Sequence, residues 1–341
     1  MANLLLIRLS AIGDVAMVIP VVYSAARAYP AHTFTVLTQT TLLSLFVNSP
    51  HNLRVMGMDT RSSEKTFRGL LRYMFTVLRR EDYDAVLDLH TVIRSRIICT
   101  CFRLRAIPVF VVNKDRYHRR RLTTRRKKDT TPLVPVMNRY TDVFRKAGLS
   151  FPLSFTSLFD TLPVQEDNNI IGVKQGRWIA VAPFARYRGK TYPPENMEKV
   201  VKSLADCPDT TVFLFGRQGQ EADLFEEWTC RYPHVRNLAG RYPLDRELMW
   251  ISRMDCMLCM DSANMHFASL VGVRVLSIWG ATHPAAGFYG FRQRVEDAIQ
   301  IDLPCRPCSV YGKRNCYRKD WACMTNITPE MILNRIAQIY P

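Results

Sequence analysis

Asp261 and Ser262 stand between an apolar run, Cys256 to Met260, and a helical stretch from Asn264 to Val271 that Gly272 stops. Val273 to Trp279 is rich in β-branched and apolar residues and reads as the next strand, with Gly280 and Thr282 opening the loop behind it. Strand, helix and parallel strand make one βαβ unit, and ligands of such units bind where loops leave the strand C-termini. The unpaired N–H groups and partial positive charge of the helix N-terminus suit a phosphate. Asp261 and Ser262 thus fall where a nucleotide diphosphate would lie, with His266 one helical turn further in.

Asp14 follows a buried-strand pattern, Leu4 to Leu9, and the small-residue turn Ser10-Ala11-Ile12-Gly13, in which Gly13 permits a tight bend. A carboxylate there can serve as a general base, or can simply stabilise the start of a helix. Cys305, Cys308, Cys316 and Cys323 form C-x2-C-x7-C-x6-C. The first pair has the spacing of a structural zinc site and the second is looser; the other reading is reduced thiols in a loop.

The elements that would position these groups alternate regularly. Strand patterns at Leu4 to Leu9, Thr33 to Thr38, Leu53 to Met58, Ala85 to Leu89 and Pro108 to Val112 are separated by helical stretches running to about Tyr29, from Thr66 to Arg80 and from Val92 to Phe102. Pro20 is expected to bend or restart the first helix. A basic run without apolar period, Lys114 to Pro132, precedes an amphipathic helix from Val136 to Ala147. The polar VQEDNN at Val164 to Asn169 marks a domain boundary, after which the same alternation restarts at Trp178 and ends in a helix from Pro329 to Ile339. The fold class is α/β, with two doubly wound halves and a ligand cleft expected between them.

Composition narrows the partners. With 47 Lys and Arg against 30 Asp and Glu, the net charge of +17 implies an acidic partner: nucleic acid, an anionic membrane surface or a phosphorylated substrate. No RNP, KH or interleaved aromatic pattern supports nucleic acid. The apolar N-terminus is interrupted by Arg8 and Asp14 and lacks the marks of a signal peptide, and no segment reaches the roughly 20 apolar residues needed to span a bilayer. A cytoplasmic protein is expected. The basic run around Arg119 and Arg120 reads either as a solvated loop or as a clamp for an anionic, lipid-anchored acceptor.

RLSAIGDVAMVIPVV, then DLH and RSR between Asp88 and Arg96, NRYTDVFRKAGL at Asn138, KTYPPENM at Lys190 and DSANMHFASLVGV at Asp261 together resemble glycosyltransferase family 9, the ADP-heptose:lipopolysaccharide heptosyltransferases. The motifs keep their family order along nearly the whole chain. The resemblance implies a GT-B architecture of two Rossmann-like domains. An acceptor domain would span residues 1–165, a nucleotide-sugar domain 170–326, and a terminal helix, 327–341, would pack back on the first.

It also implies an activity: inverting, metal-independent transfer of heptose from ADP-L-glycero-D-manno-heptose to the inner core of lipopolysaccharide. No cofactor is implied, and the expected setting is a monomer at the inner face of the inner membrane. Asp14 matches the family's general base and Lys190 the lysine aimed at the diphosphate. Asp261 matches a contact to the donor sugar, Glu221 a ribose ligand, and Ser262, Ala263, His266 and Thr282 other donor contacts. Ser10, Gly13, Arg94, Arg119 and Arg120 fall to the acceptor. Two departures stand out: Ala263 where glycine is common, and Gly280-Ala281-Thr282 where Gly-Pro-Thr is common. Same-fold alternatives are a transferase using another nucleotide sugar or surface glycan, and a sugar-nucleotide epimerase. A non-catalytic binding protein is the alternative from another class.

Overall fold

The computed structural model describes residues 1–60, 66–76, 78, 81–160 and 171–340. They form two compact units. One holds the described residues within Met1–Lys114 and Val136–Thr161, the other those within Asp115–Pro135 and Leu162–Pro341. The polar VQEDNN stretch lies outside the described residues.

The first unit runs β1 (Asn3–Ile7), α1 (Ile12–Ala16), α2 (Ile19–Ala28), β2 (Thr33–Gln39), β3 (Leu53–Met58), α3 (Phe67–Thr76), β4 (Ala85–Asp88), α4 (Ile93–Arg103) and β5 (Val109–Val111). After α5 (Arg116–Leu122), which belongs to the other unit, α6 (Val136–Lys146) completes it. All of its strand pairs are parallel, in the order β3-β2-β1-β4-β5. Burial on both faces leaves the central strands no wet side, which is why the buried stretches Leu4–Ile7 of β1 and Ala85–Leu87 of β4 are apolar. Pro20 restarts the helix: α1 stops at Ala16 and α2 begins at Ile19, with the proline in its first turn, where its missing N–H costs nothing.

The second unit repeats the plan. It runs β6 (Arg177–Ala182), α7 (Pro194–Ala205), β7 (Thr210–Leu214), α8 (Gln220–Arg231), β8 (Val235–Asn237), α9 (Leu244–Ile251), β9 (Cys256–Met260), α10 (Ala263–Leu270), β10 (Arg274–Ile278), β11 (Ala298–Ile299), α11 (Ala322–Thr325) and α12 (Pro329–Ile339). Its sheet is also parallel, ordered β11-β10-β9-β6-β7-β8. In both sheets the order reverses beside the first strand, between β1 and β4 and between β6 and β9. Each unit is therefore a Rossmann-type sheet with a switch point.

The expected domain limits need two corrections. Residues 115–135 fall within the expected first domain, mostly as part of a basic run without apolar period, yet they contain α5 and pack with the second unit. Leu122 and Leu133 are buried against Ala286, and the Leu133 N–H donates to Ala285 O over 2.8 Å. The terminal helix α12, expected on the first domain, instead buries Ile332 and Ile336 in the second unit's core beside α7.

A charge cluster seats α12 as well. Asp297 is fully buried and accepts from Arg274 on β10, over 2.8 and 3.1 Å, and from Arg335 on α12 over 2.8 Å. Removing a buried charge from such a cluster leaves its partners uncompensated, a loss of roughly 3–5 kcal/mol when all are buried. Here the arginines are 31% and 29% exposed, so solvent screens part of that loss. Asp297→Asn should lower the urea unfolding free energy by about 2 kcal/mol; an unchanged midpoint would show that the cluster does not seat the helix.

Candidate active site

In the first unit the chemistry gathers at the C-terminal ends of β1 and β4, the pair at which the strand order reverses. The turn after β4 is built by Asp88, which is 1% exposed. Its Oδ1 accepts from the N–H groups of His90 (2.8 Å) and Thr91 (2.9 Å), and its Oδ2 from the Ser95 hydroxyl (3.0 Å). So held, His90 Nδ1 accepts the Leu9 N–H over 3.3 Å and ties the β4 turn to the end of β1.

Arg8 strengthens the tie. Its Nη1 donates to Leu89 O over 2.7 Å, and its Nη2 lies 2.7 Å from Asp14 Oδ2. The same carboxylate accepts the Ala11 N–H over 3.3 Å, capping α1. Asp14 is thus oriented from two sides while its side chain stays 22% exposed. Ser10 and Gly13 lie in the same β1–α1 turn. Arg94 on α4 donates to Thr60 O, Lys114 to Thr91 O, and the buried Arg139 to Lys114 O.

The group as a whole is cationic. Burial, and then the charges of Arg8, Lys114 and Arg94, push His90 down to about 3, so it is a neutral acceptor at physiological pH. Arg8, His90, Lys114 and Arg139 were not singled out in the sequence. The available signals were an arginine closing the apolar run LLLIRL and a histidine immediately after DL.

In the second unit Lys190 follows β6 in the short turn Arg188–Lys190, and Asp261 follows β9, the neighbouring strand. Their charged groups meet at 2.9 Å, with the side chains 17% and 8% exposed. Ser262 precedes α10 but makes no capping bond, and its buried hydroxyl has no hydrogen-bond partner. The buried hydroxyl of Thr282, in the loop after β10, has none either. Ala263 opens α10, and His266 is buried one turn along it. The Ala281 N–H donates to Gly189 O over 2.8 Å, joining the Lys190 turn to the Thr282 loop.

Glu221 sits one strand further out, at the start of α8, where its Oε2 accepts the Arg217 N–H over 2.8 Å. Arg119 and Arg120 are not grouped with Ser10, Gly13 and Arg94. They lie on α5 in the second unit, where Arg119 donates to the Tyr311 hydroxyl over 2.8 Å and stacks 5.1 Å above Phe288.

A family model described as glycosyltransferase family 9 (heptosyltransferase) matches residues 71–318, more than half of the chain. The chain belongs to that family. Lipooligosaccharide heptosyltransferase 2 of Campylobacter jejuni is 21% identical over 198 residues, and the match spans 58% of each chain. The lipopolysaccharide core heptosyltransferase OpsX of Haemophilus influenzae is 21% identical over 83% of this chain and 80% of its own. The solved E. coli heptosyltransferase WaaC with ADP-2-deoxy-2-fluoro heptose superposes with a TM-score of 0.70 at 15% identity, over 99% of each chain. This family member has the GT-B fold: two Rossmann-like units, each with its candidate residues at a switch point.

His90 offers a test of the first group. Its folded pKa is depressed, while its unfolded value is near 6.5, so between about pH 6.5 and about 3 the unfolded chain binds a proton that the folded chain refuses. Stability therefore falls as pH falls through that window, by up to about 1.4 kcal/mol per pH unit, and is insensitive to His90 above it. His90→Asn keeps an acceptor for the Leu9 N–H and does not titrate. Its urea midpoint should fall less than the wild type's on acidification; parallel curves would mean His90 is not held neutral.

Proposed function

We propose that this protein transfers heptose from ADP-L-glycero-D-manno-heptose to the inner core of lipopolysaccharide, inverting the anomeric centre without a catalytic metal. The observation that carries the reading is the Lys190–Asp261 pair beside the uncapped start of α10. A cation, unpaired helix N–H groups and two unpartnered hydroxyls converge on the loops where a diphosphate binds a Rossmann-type sheet. The relatives from Campylobacter jejuni and Haemophilus influenzae, named for lipooligosaccharide and lipopolysaccharide core, support the acceptor class. The ADP-heptose analogue in the E. coli structure supports the donor.

In this mechanism Asp14 removes the proton of the acceptor hydroxyl as that oxygen attacks the anomeric carbon. The bond from that carbon to the diphosphate breaks, and its electron pair leaves with ADP. Lys190 and the N–H groups at the start of α10 stabilise the growing charge, with the hydroxyls of Ser262 and Thr282 donating to phosphate oxygens. Lys190 turns from Asp261 to the diphosphate, which frees the Asp261 carboxylate to accept from sugar hydroxyls. Glu221 keeps one oxygen on the Arg217 N–H and offers the other to the ribose, with Ala263 and His266 walling the donor.

On the acceptor side, the cationic surroundings of Ser10, Gly13 and Arg94 suit an anionic core sugar. Arg119 and Arg120 add charge for an acceptor presented on an anionic leaflet, where each basic residue contributes about 1 kcal/mol. Among the described residues no helix is long and apolar enough to cross a membrane, so the proposed setting is peripheral, at the cytoplasmic face.

The test is ADP release from ADP-heptose with and without a heptose-free core acceptor. Release should require the acceptor, and Asp14→Asn should slow it by about 10²–10⁴-fold. Turnover without acceptor would point to an epimerase, and an inactive wild type that binds GDP- or UDP-sugars would replace the donor.

A further inference from the structure

The loop after β10, Gly280-Ala281-Thr282, is held from behind by one side chain. Arg306 lies in the segment that follows β11 and is 6% exposed. Its Nε donates to Gly280 O over 2.5 Å and its Nη2 to Thr282 O over 3.1 Å, so one planar guanidinium spans both ends of the loop. Its remaining bonds go to Ile301 O and, over 2.9 Å, to Gln300 Oε1. The carbonyl between the two ends, Ala281 O, accepts the N–H groups of Cys308 and Ser309 over 3.1 and 3.2 Å. The four cysteines of this segment, Cys305, Cys308, Cys316 and Cys323, are free thiols, and among the described residues no three ligand-type side chains come together to hold a metal ion.

All three carbonyls of the loop thus turn to the Arg306 side. Its peptide bonds are trans, so each N–H points the opposite way. The Ala281 N–H marks that direction: it donates to Gly189 O over 2.8 Å, in the turn that carries Lys190. The N–H groups of Thr282 and His283, in the next two peptides, have no partner among the described residues. The hydroxyl of Thr282, a residue only 1% exposed, has none either. Three unpaired donors, with every acceptor of the loop turned away, have the make-up of an anion site.

The charges behind the loop have the matching sign. Lys128 donates to the carbonyls of Arg306 (2.8 Å), Pro307 (3.1 Å) and Pro304 (3.3 Å). Neither Arg306 nor Lys128 forms an ion pair with a described residue, and Asp302 attracts Arg306 only from beyond salt-bridge distance. A buried guanidinium without a bonded counter-charge is costly, and an anion in front of the loop would offset part of that cost.

We propose that Arg306 is a positioning residue, whose fork turns the loop after β10 so that the Thr282 and His283 N–H groups and the Thr282 hydroxyl receive the diphosphate of the nucleotide. It touches no substrate and acts through the loop backbone. Lysine would keep the charge but lacks the planar fork that reaches both carbonyls at once. This role rests on the nucleotide-sugar reading of the second unit, whichever base or sugar the donor carries.

Calorimetric binding of ADP and of adenosine to the full chain tests it. The wild type should bind ADP more tightly than adenosine. Arg306→Lys and Arg306→Gln should each cut that preference by about 10–100-fold, with adenosine binding unchanged. Asp297→Asn, destabilised elsewhere in the same unit, should keep the full preference, which separates loop positioning from a general loss of stability. If Arg306→Gln misfolds, Arg306→Lys carries the test. Full preference in Arg306→Lys would overturn the positioning role, because that variant has lost only the fork. A wild type that binds adenosine, guanosine and uridine as tightly as ADP, GDP and UDP would overturn the anion site. Should the diphosphate preference appear with GDP or UDP instead of ADP, the donor reading fails, and its loss in Arg306→Lys would still support the role of Arg306.

Discussion

A parallel sheet whose strand order reverses sends the connections of two adjacent strands to opposite faces, leaving a gap above their C-terminal ends. That constraint acts twice in this chain, and the candidate chemistry depends on it. Asp14 follows β1 and the His90 turn follows β4; Lys190 follows β6 and Asp261 follows β9. Each pair is far apart in sequence and adjacent in the sheet because β1 pairs with β4 and β6 with β9. Packing of apolar strands thus does the long-range positioning, and short hydrogen bonds such as Arg8 to Leu89 O finish it.

The two gaps are finished differently. The first is held by a network in which Asp88 fixes the His90 turn, His90 accepts the Leu9 N–H, and Arg8 bonds Leu89 O and the partly exposed Asp14 carboxylate. The second is left unfinished: α10 has no side-chain cap, two hydroxyls lack partners, and Lys190 and Asp261 answer each other. Unsatisfied polar groups in a buried site cost stability unless a ligand completes them.

Much of this was legible because burial on both faces turns strands into apolar runs, and candidate polar side chains follow those runs. Asp14 and Asp261 could be picked out by that adjacency, whereas Lys190 came from the family resemblance. Arg8 and His90 could not, since strand pairing, and not local pattern, decides that their loops meet. The allegiance of residues 115–135 was hidden by composition: arginines dominate the stretch, while two leucines, Leu122 and Leu133, anchor it. The Asp297 cluster drawing on β10 and α12 was likewise invisible, because β11 is only two residues long and carries little pattern.

The excursion of residues 115–135 has a consequence for biogenesis. The first unit's core is completed by α6, whose Tyr140, Val143 and Phe144 are buried and whose Phe144 ring lies 6.4 Å from that of Phe34 on β2. A ribosome must therefore deliver residue 146 before that core can close, and by then α5 has emerged without the surface it will rest on. Leu133 and Leu122 await a loop near Ala286, synthesised some 150 residues later at about 5–20 residues per second, so the basic stretch stays undocked for on the order of ten seconds. Dense positive charge on such a stretch keeps it hydrated and apart from other nascent chains while it waits.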